Sequence, residues 1–523
     1  MKSKTGLMVA YAVAALACIC LVLVLVHPWR AQNPHPQAPS ASLGQALQDR
    51  LAKAARQDRS LAQLYQARGF TTLWFDGASL SSNARQVMAV LANANQEALP
   101  ADRYRLPAAP TAQASDAAKA DFEMALTAAA LRYASDLRWG MTQPRAFFDD
   151  VSMPRDHDDI VSGLMQAADA GKAAAYLQGL APPAREYGLL RAALARYRAL
   201  GAGAGWTPVA AEARPSPQNL ASLRARLQLE GYLAPDPQGA NAAAITAALK
   251  AYQSDNAITA DGKLNARTVA MLNVAPAARA EQIAVNMERL RWMPHDPGAQ
   301  YILVNVPDAS LVLMESGQPV LTSRVVVGAP DKPTPILATK AVAITINPAW
   351  HVPKSIVAKE IQPKLDQDPG YLEAKHMEMK DGDVVQLPGP DNALGSVKFE
   401  MPNEFDVYLH DTPSKHAFLS DERALSHGCV RVEQIRQLAE HVLGISDEEL
   451  EQAIADGQTQ ARHLKQPVPV YIQYFTAIAR DDGRILFRDD IYGRDARMIA
   501  ALFPSQAPTQ VASSAAAKPS KPD

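Results

Sequence analysis

The chain predicts a multidomain α+β protein. An N-terminal membrane anchor leads to a helical domain, a three-helix module, and a β-rich, sandwich- or barrel-like C-terminal domain with a capping insertion. Three observations carry this reading. Its 523 residues make several domains at roughly 100–200 residues each. Residues 43–200 are rich in Ala, Leu and Arg, with few β-branched residues, as helices require. From Tyr301 onward the pattern changes to short β-branched and aromatic runs broken by turn residues.

Residues 1–30 hold a short basic tip and the apolar run Leu7–Val26, which carries no charge. Its length, about twenty residues, crosses a bilayer core as a helix. Lys2 and Lys4 precede it and no basic cluster follows until Arg30, so the N-terminus is expected in the cytoplasm and the rest outside. A cleaved signal peptide competes, but the run exceeds the usual apolar length and His27-Pro28-Trp29-Arg30 offers no small-residue cleavage site. Residues 31–42 are Pro-, Ser- and Gln-rich and read as a linker. Within 43–200, helices are expected over Gln45–Arg68 and Ala117–Leu137, and Pro100–Pro110 is a loop. Asp156-His157-Asp158-Asp159 reads as a solvated acidic loop rather than a metal site, because adjacent residues on one loop seldom converge without a distant ligand. A Gly/Ala/Pro linker spans 201–218.

Residues 219–275 form the three-helix module. Leu220, Leu223, Leu227 and Leu229 outline one apolar face ending at Gly231-Tyr232-Leu233, a second helix covers Ala244–Tyr252, and Asp261-Gly262 turns into a third segment with Thr268, Met271 and Leu272. The C-terminal domain, 295–500, shows strands at Tyr301–Val306, Ser310–Glu315, Val320–Val327, Val342–Ile346, Val397–Met401, Val407–His410, Val470–Phe475 and Ile485–Ile491. Asp482-Gly483 is expected to turn a hairpin between the last two. One amphipathic helix, Glu433–Leu443, interrupts them. Residues 351–396 break the strand rhythm and read as a cap, with Trp350 and Pro353 at its hinge. The Ala/Ser/Pro/Lys tail at 505–523 reads as disordered.

Charge excludes one class of function. With 52 basic against 54 acidic residues, the chain lacks the charge excess of a nucleic-acid binder, and no cofactor is called for. Cysteine usage is more informative. Cys18 and Cys20 fall in the apolar run, leaving Cys429 as the single cysteine of the remaining chain. A lone thiol outside the cytoplasm is either buried and inert or kept for its chemistry. The lead-in Ser426-His427-Gly428 and the nearby Arg431 suit a nucleophile better than an apolar pocket. Gly428 lets the backbone turn its amides toward a developing oxyanion. Strand alternation sends Val407 and Leu409 inward and Tyr408 and His410 outward. A zinc site from His410, His416, His427 and Cys429 competes, although its spacing fits no common pattern.

Tyr408-Leu409-His410-Asp411-Thr412 followed by Ser426-His427-Gly428-Cys429-Val430-Arg431 resembles the signature of the YkuD-type L,D-transpeptidase catalytic domain. The 219–275 module resembles the small peptidoglycan-binding domain of cell-wall enzymes. Leu64-Tyr65-Gln66-Ala67-Arg68-Gly69-Phe70, closing at Leu73-Trp74, is similar to the scaffold domain of the large inner-membrane-anchored transpeptidases of Gram-negative envelopes. The resemblance implies a single-pass inner-membrane protein with its catalytic part in the periplasm, forming 3→3 cross-links through a cysteine thioester. It implies Cys429 as nucleophile, His410 as base, and the amides around Gly428 as the oxyanion site. His427 would line the groove and Arg431 would position the loop or a substrate carboxylate. Tyr408, Thr412, Ser426 and Trp350 would contact substrate, with no metal. The implied partners are peptidoglycan stem peptides and glycan strands, the inner membrane through residues 7–26, and synthases or carboxypeptidases that supply tetrapeptide. A carbapenem is expected to acylate the thiol. A cysteine carboxypeptidase or amidase, and a non-catalytic wall-binding scaffold, are the competing functions.

Overall fold

The computed structural model describes residues 41–54, 59–203, 206–212, 214–235 and 241–504. The expected anchor at 7–26, most of the 31–42 linker and the 505–523 tail lie outside the described residues. Among the described residues no helix is long and apolar enough to cross a membrane.

The helical region begins with Ala41–Ala54 and Arg59–Ala67. It centres on α1 (Asp116–Trp139), whose N-terminus is capped by Ser115 accepting from the Ala118 N–H and whose C-cap is Gly140. α2 (Arg185–Ala202) packs along α3 (Pro276–Arg291). The acidic loop is not simply solvated: Asp156 and Asp158 both pair with the buried Arg138 guanidinium. Asp159 caps the helix Ile160–Asp169.

α3 falls in the stretch between the two domains expected from the sequence, where no element was assigned. Every residue of it except Ala277 is buried. No amphipathic stripe betrays it, because its charged residues are buried against fixed partners. Glu288 binds Arg291 at 2.8 Å and accepts from the Thr142 N–H and hydroxyl at 2.7 Å. Arg289 pairs at 2.6 Å with Asp495 of α4 (Arg494–Leu502), and Arg291 donates to the Tyr187 hydroxyl at 2.8 Å. Ala280, Ile283, Ala284, Met287 and Leu290 join the core of the helical domain. Val285, with Trp292 just past the helix, joins the core of the β domain. A Cβ on Gly140 would meet Glu288 at 2.7 Å, so glycine there is what lets α1 end against α3.

Eight strands close the β domain into a barrel. They are β1 (Gln300–Asn305), β2 (Ser310–Glu315), β3 (Gln318–Gly328), β4 (Ile336–Ile346), β5 (Val397–Glu400), β6 (Leu409–His410), β7 (Val430–Val432) and β8 (Gln460–Gln473). Around the ring the order is β5-β6-β7-β3-β2-β1-β8-β4, and β4 pairs back to β5. β6–β7 and β1–β8 are parallel, and the other neighbours around the ring antiparallel. Closure removes the free edges of the sheet, and the alternating apolar residues fill its interior.

Several sequence expectations change. β8 begins at Gln460 rather than Val470, because its first half is an exposed polar stretch paired to β4. The hairpin around Asp482-Gly483 joins Ala477–Ala479 to Ile485–Phe487, not Val470–Phe475 to Ile485–Ile491. Its residues Ala477, Ile485 and Phe487 pack into the helical domain's core. Val151–Ser152 pairs in parallel with β4. Helical and β regions therefore interleave instead of following one another as separate beads. In the three-helix module, Leu223 and Leu227 are buried but Leu229 is 40% exposed, since it sits at the helix end, past the packed face. The buried Gln253 side chain holds the Asp261-Gly262-Lys263 turn, bonding Asp261, the Lys263 carbonyl and the Gly262 N–H. Arg480 and Arg484 of the hairpin both pair with Asp255 of the module.

Removing one member of a buried charge pair leaves the other uncompensated, a loss of about 3–5 kcal/mol. Glu288→Ala should therefore lower the melting temperature sharply and in one step across both domains, read by circular dichroism and intrinsic fluorescence together. Two well-separated transitions would show that α3 does not couple them.

Candidate active site

The site forms where β5, β6 and β7 run side by side. Leu409 faces Val430 and His410 faces Arg431 across the parallel pair, and Lys398 of β5 faces His410 from the other side. Val397, Phe399, Leu409 and Val430 are all in the barrel core. Alternation then puts Lys398, Tyr408, His410, Cys429 and Arg431 on the opposite face. His410, expected to face outward, does leave the core but is not exposed, retaining 5% of its surface. The Tyr408 ring stands edge-on against it at 5.5 Å.

Cys429 is half-buried. Burial raises its thiol pKa, while hydrogen bonds from Tyr408 and the charges of Lys398 and Arg431 pull it back. The resting thiol thus keeps its proton and needs a base. Its Sγ points to the Asp406 carbonyl at 3.9 Å. The Tyr408 hydroxyl is engaged with Cys429 and with Trp350, whose strand Trp350–His351 starts the insertion. The Lys398 ammonium lies 4.4 Å over the Tyr408 ring and binds Glu400 at 2.9 Å. Tyr408 therefore touches Cys429, His410, Trp350 and Lys398 at once. Burial, with Arg431 beside it, pushes His410 down to about 3. The imidazole is neutral at working pH, the form that accepts a proton.

The loop that carries Cys429 is braced from within. Gly428 adopts φ +117°, a conformation that side chains resist. Its carbonyl accepts from the Thr334 hydroxyl at 2.8 Å. Ser426 is buried: its hydroxyl donates to the Cys429 carbonyl at 2.6 Å and accepts from the Gly428 N–H at 3.2 Å. That bond also engages the Gly428 amide expected at the oxyanion. Thr412 is buried too, and its hydroxyl accepts from the Ser414 N–H at 3.2 Å, so it shapes a turn. Arg431 is half-buried, its pKa lowered by burial, and its Nε has no partner.

Four contributors are not singled out by the sequence. Asp411 accepts from the Ser396 N–H at 3.0 Å, the Ser396 hydroxyl at 2.8 Å and the Thr412 N–H at 2.7 Å, and pairs with Lys415. It ties the end of the insertion to the residue after His410. Thr334 holds the nucleophile loop, Lys398 flanks the histidine, and Glu360 of the insertion meets His427 at 2.5 Å. Only Asp411 has a local signal, its place next to His410. The others reach the site from distant segments. His410, His416, His427 and Cys429 form no metal-binding group, and no such cluster occurs among the described residues.

A histidine kept neutral by burial makes stability depend on pH. The unfolded His410 takes up a proton below about 6.5, while the folded one resists until about 3. The folded state is therefore favoured above the unfolded value and loses that contribution as pH falls from about 6.5 toward about 3. Melting temperatures measured over this window should fall more steeply for the native chain than for His410→Gln. Equal slopes would contradict the burial of a neutral ring.

Comparison with known families agrees with this geometry. Residues 299–472 match the L,D-transpeptidase catalytic domain, 216–272 a "Putative peptidoglycan binding domain", and 59–194 the scaffold domain. A relative from Haemophilus influenzae, described as "Putative L,D-transpeptidase", is 34% identical over 239 residues, covering 41% of this chain and 48% of the relative. The chain thus matches about half the length of that relative. The L,D-transpeptidase from Mycobacterium smegmatis is 12% identical, covering 34% of this chain and 58% of that one at a TM-score of 0.19. L,D-transpeptidase 3 from Mycobacterium tuberculosis, solved with a faropenem-derived adduct, is 14% identical, covering 34% and 60% at a TM-score of 0.19. The three family matches and the Haemophilus relative bear out the resemblance of this chain to the L,D-transpeptidases.

Proposed function

We propose that the protein is a peptidoglycan L,D-transpeptidase that forms 3→3 cross-links by a cysteine thioester, anchored in the inner membrane by residues 7–26 with its catalytic part in the periplasm. The observation that carries this reading is the shared face of β6 and β7, where Cys429 and His410 stand with Tyr408 and Arg431 beside a capping insertion. His410 takes the thiol proton as Sγ attacks the carbonyl of the third residue of a tetrapeptide stem. The oxygen gains negative charge opposite the Cys429 amide. His410 returns the proton to the departing D-alanine nitrogen, and a thioester remains. The side-chain amine of a second stem then attacks, forming a peptide bond and releasing the thiolate, which regains a proton. One peptide bond is exchanged for another, so no nucleotide is needed. The insertion keeps water from resolving the thioester first. The three-helix module, whose Asp255 pairs with Arg480 and Arg484 of the C-terminal hairpin and whose Thr259 donates to Asp421 at 3.1 Å, binds glycan strands for the same reaction.

The soluble fragment from about residue 31, given tetrapeptide muropeptides, should yield 3→3 dimers and free D-alanine by mass spectrometry. Tripeptide monomer without dimers would establish a carboxypeptidase instead. A carbapenem should add its mass to the native protein and not to Cys429→Ala. If neither the adduct nor any product appears in the native protein, the non-catalytic wall-binding reading replaces this one.

A further inference from the structure

The insertion has a core of its own, in which Val352, Ile361 and Val384 pack with Trp350, Tyr371 and Met377, separate from the barrel core. Its small sheet, Trp350–His351 with Asp383–Gln386 and Met377–Lys380, is likewise independent of the barrel. Its helical arm meets the catalytic loop at one carboxylate. Glu360 Oε1 lies 2.5 Å from His427 Nε2 and 3.6 Å from Lys332 Nζ. Lys332 belongs to the segment that leads to Thr334, which holds the Gly428 carbonyl. One side chain of the insertion therefore bridges both sides of the nucleophile loop. Glu360 sits in a π-helical turn, Val357–Ile361, a local widening that recurs at functional positions. Burial opposes ionisation of this carboxyl, but the bonds from His427 and Lys332 prevail and hold it below its ordinary value.

A carboxylate on one ring nitrogen of a histidine sets which nitrogen carries the proton and how the ring is turned. With the Nε2–H donated to Glu360, the Nδ1 lone pair is left to accept a proton. His427 lies two residues before the nucleophile, and its side chain is 37% exposed. His410 is closed off at 5% exposure and flanked by Lys398 and Arg431, an unwelcoming place for a cationic ammonium.

We infer that Glu360 is a positioning residue that holds His427 as the base for the acyl-acceptor amine, so that the insertion completes the second half of the reaction. This rests on the transpeptidase reading above. The acceptor ammonium loses one proton to solvent; as the nitrogen pair thus freed forms the new C–N bond, a second N–H proton passes to His427 Nδ1. The C–S bond breaks with its electron pair on Cys429 Sγ, which then takes the proton from His427. An open insertion lacks this arrangement, and water competes for the thioester.

The test compares the native chain, Glu360→Gln and Glu360→Asp. Carbapenem acylation is followed by intact mass, and the ratio of cross-linked dimer to hydrolysed tripeptide is followed against acceptor concentration. In Glu360→Gln the transfer-to-hydrolysis ratio should fall about tenfold or more while acylation slows less than threefold, and Glu360→Asp should recover part of the ratio. Imidazole nitrogen NMR should show a protonated, carboxylate-bonded Nε2 on His427 that Glu360→Gln abolishes. An unchanged ratio, a parallel loss of acylation and transfer, or a native His427 without that signature overturns the inference. A native chain with the NMR signature but neither adduct nor dimer overturns the transpeptidase reading and leaves Glu360 as a structural latch.

Discussion

A buried helix with charged residues on it organises this molecule. α3 is shared by two hydrophobic cores, one helical and one β, and its ion pairs reach α4, the end of α1 and, through Tyr187, α2. Desolvated charges are tolerated only when their partners are fixed, so each partner's position becomes a condition for the helix to stay in place. Thr476 shows how far this extends. Asn286 of α3 binds its N–H at 2.9 Å and its hydroxyl at 2.8 Å, and Gln282 binds its carbonyl at 2.9 Å. That residue lies just past β8, so the barrel's closing strand is registered directly on α3.

The same logic of paid desolvation operates in the site. Burial works against both ionisable members of the pair, raising Cys429 and lowering His410. Both therefore rest neutral. Tyr408, Lys398 and Arg431 each favour the ionised form of Cys429 against that burial, while Thr334 and Ser426 hold the Gly428 turn beside it. The barrel strands position Cys429 and His410, and the insertion is built on a small core of its own.

The legible parts are those whose signal is local. The Leu-rich face of the first helix of the module, the alternation through Val407–His410 and the Ser-His-Gly-Cys run each express a short-range constraint, and each is found near its expected place. α3 is illegible because its polarity pattern is set by partners in three other segments, not by water. The first half of β8 reads as loop because it is an exposed strand whose pairing comes from β4. Ser426 and Thr412, expected as substrate groups, are buried and hydrogen-bonded within their own turns, contacts that residue type alone does not reveal.

The sequence alone determined the chemistry available: one cysteine outside the apolar run, a histidine on an alternating strand, a glycine that allows the turn, and the segments from which helices and strands form. These depend on neighbours along the chain. Tertiary structure decided which groups the chemistry can use. Closing the barrel set Tyr408 beside Cys429 and removed His410 from water, and folding the insertion back brought Glu360 onto His427 across 67 residues. Proton affinity and ring orientation depend on desolvation and contact, and those exist only once distant segments have packed together.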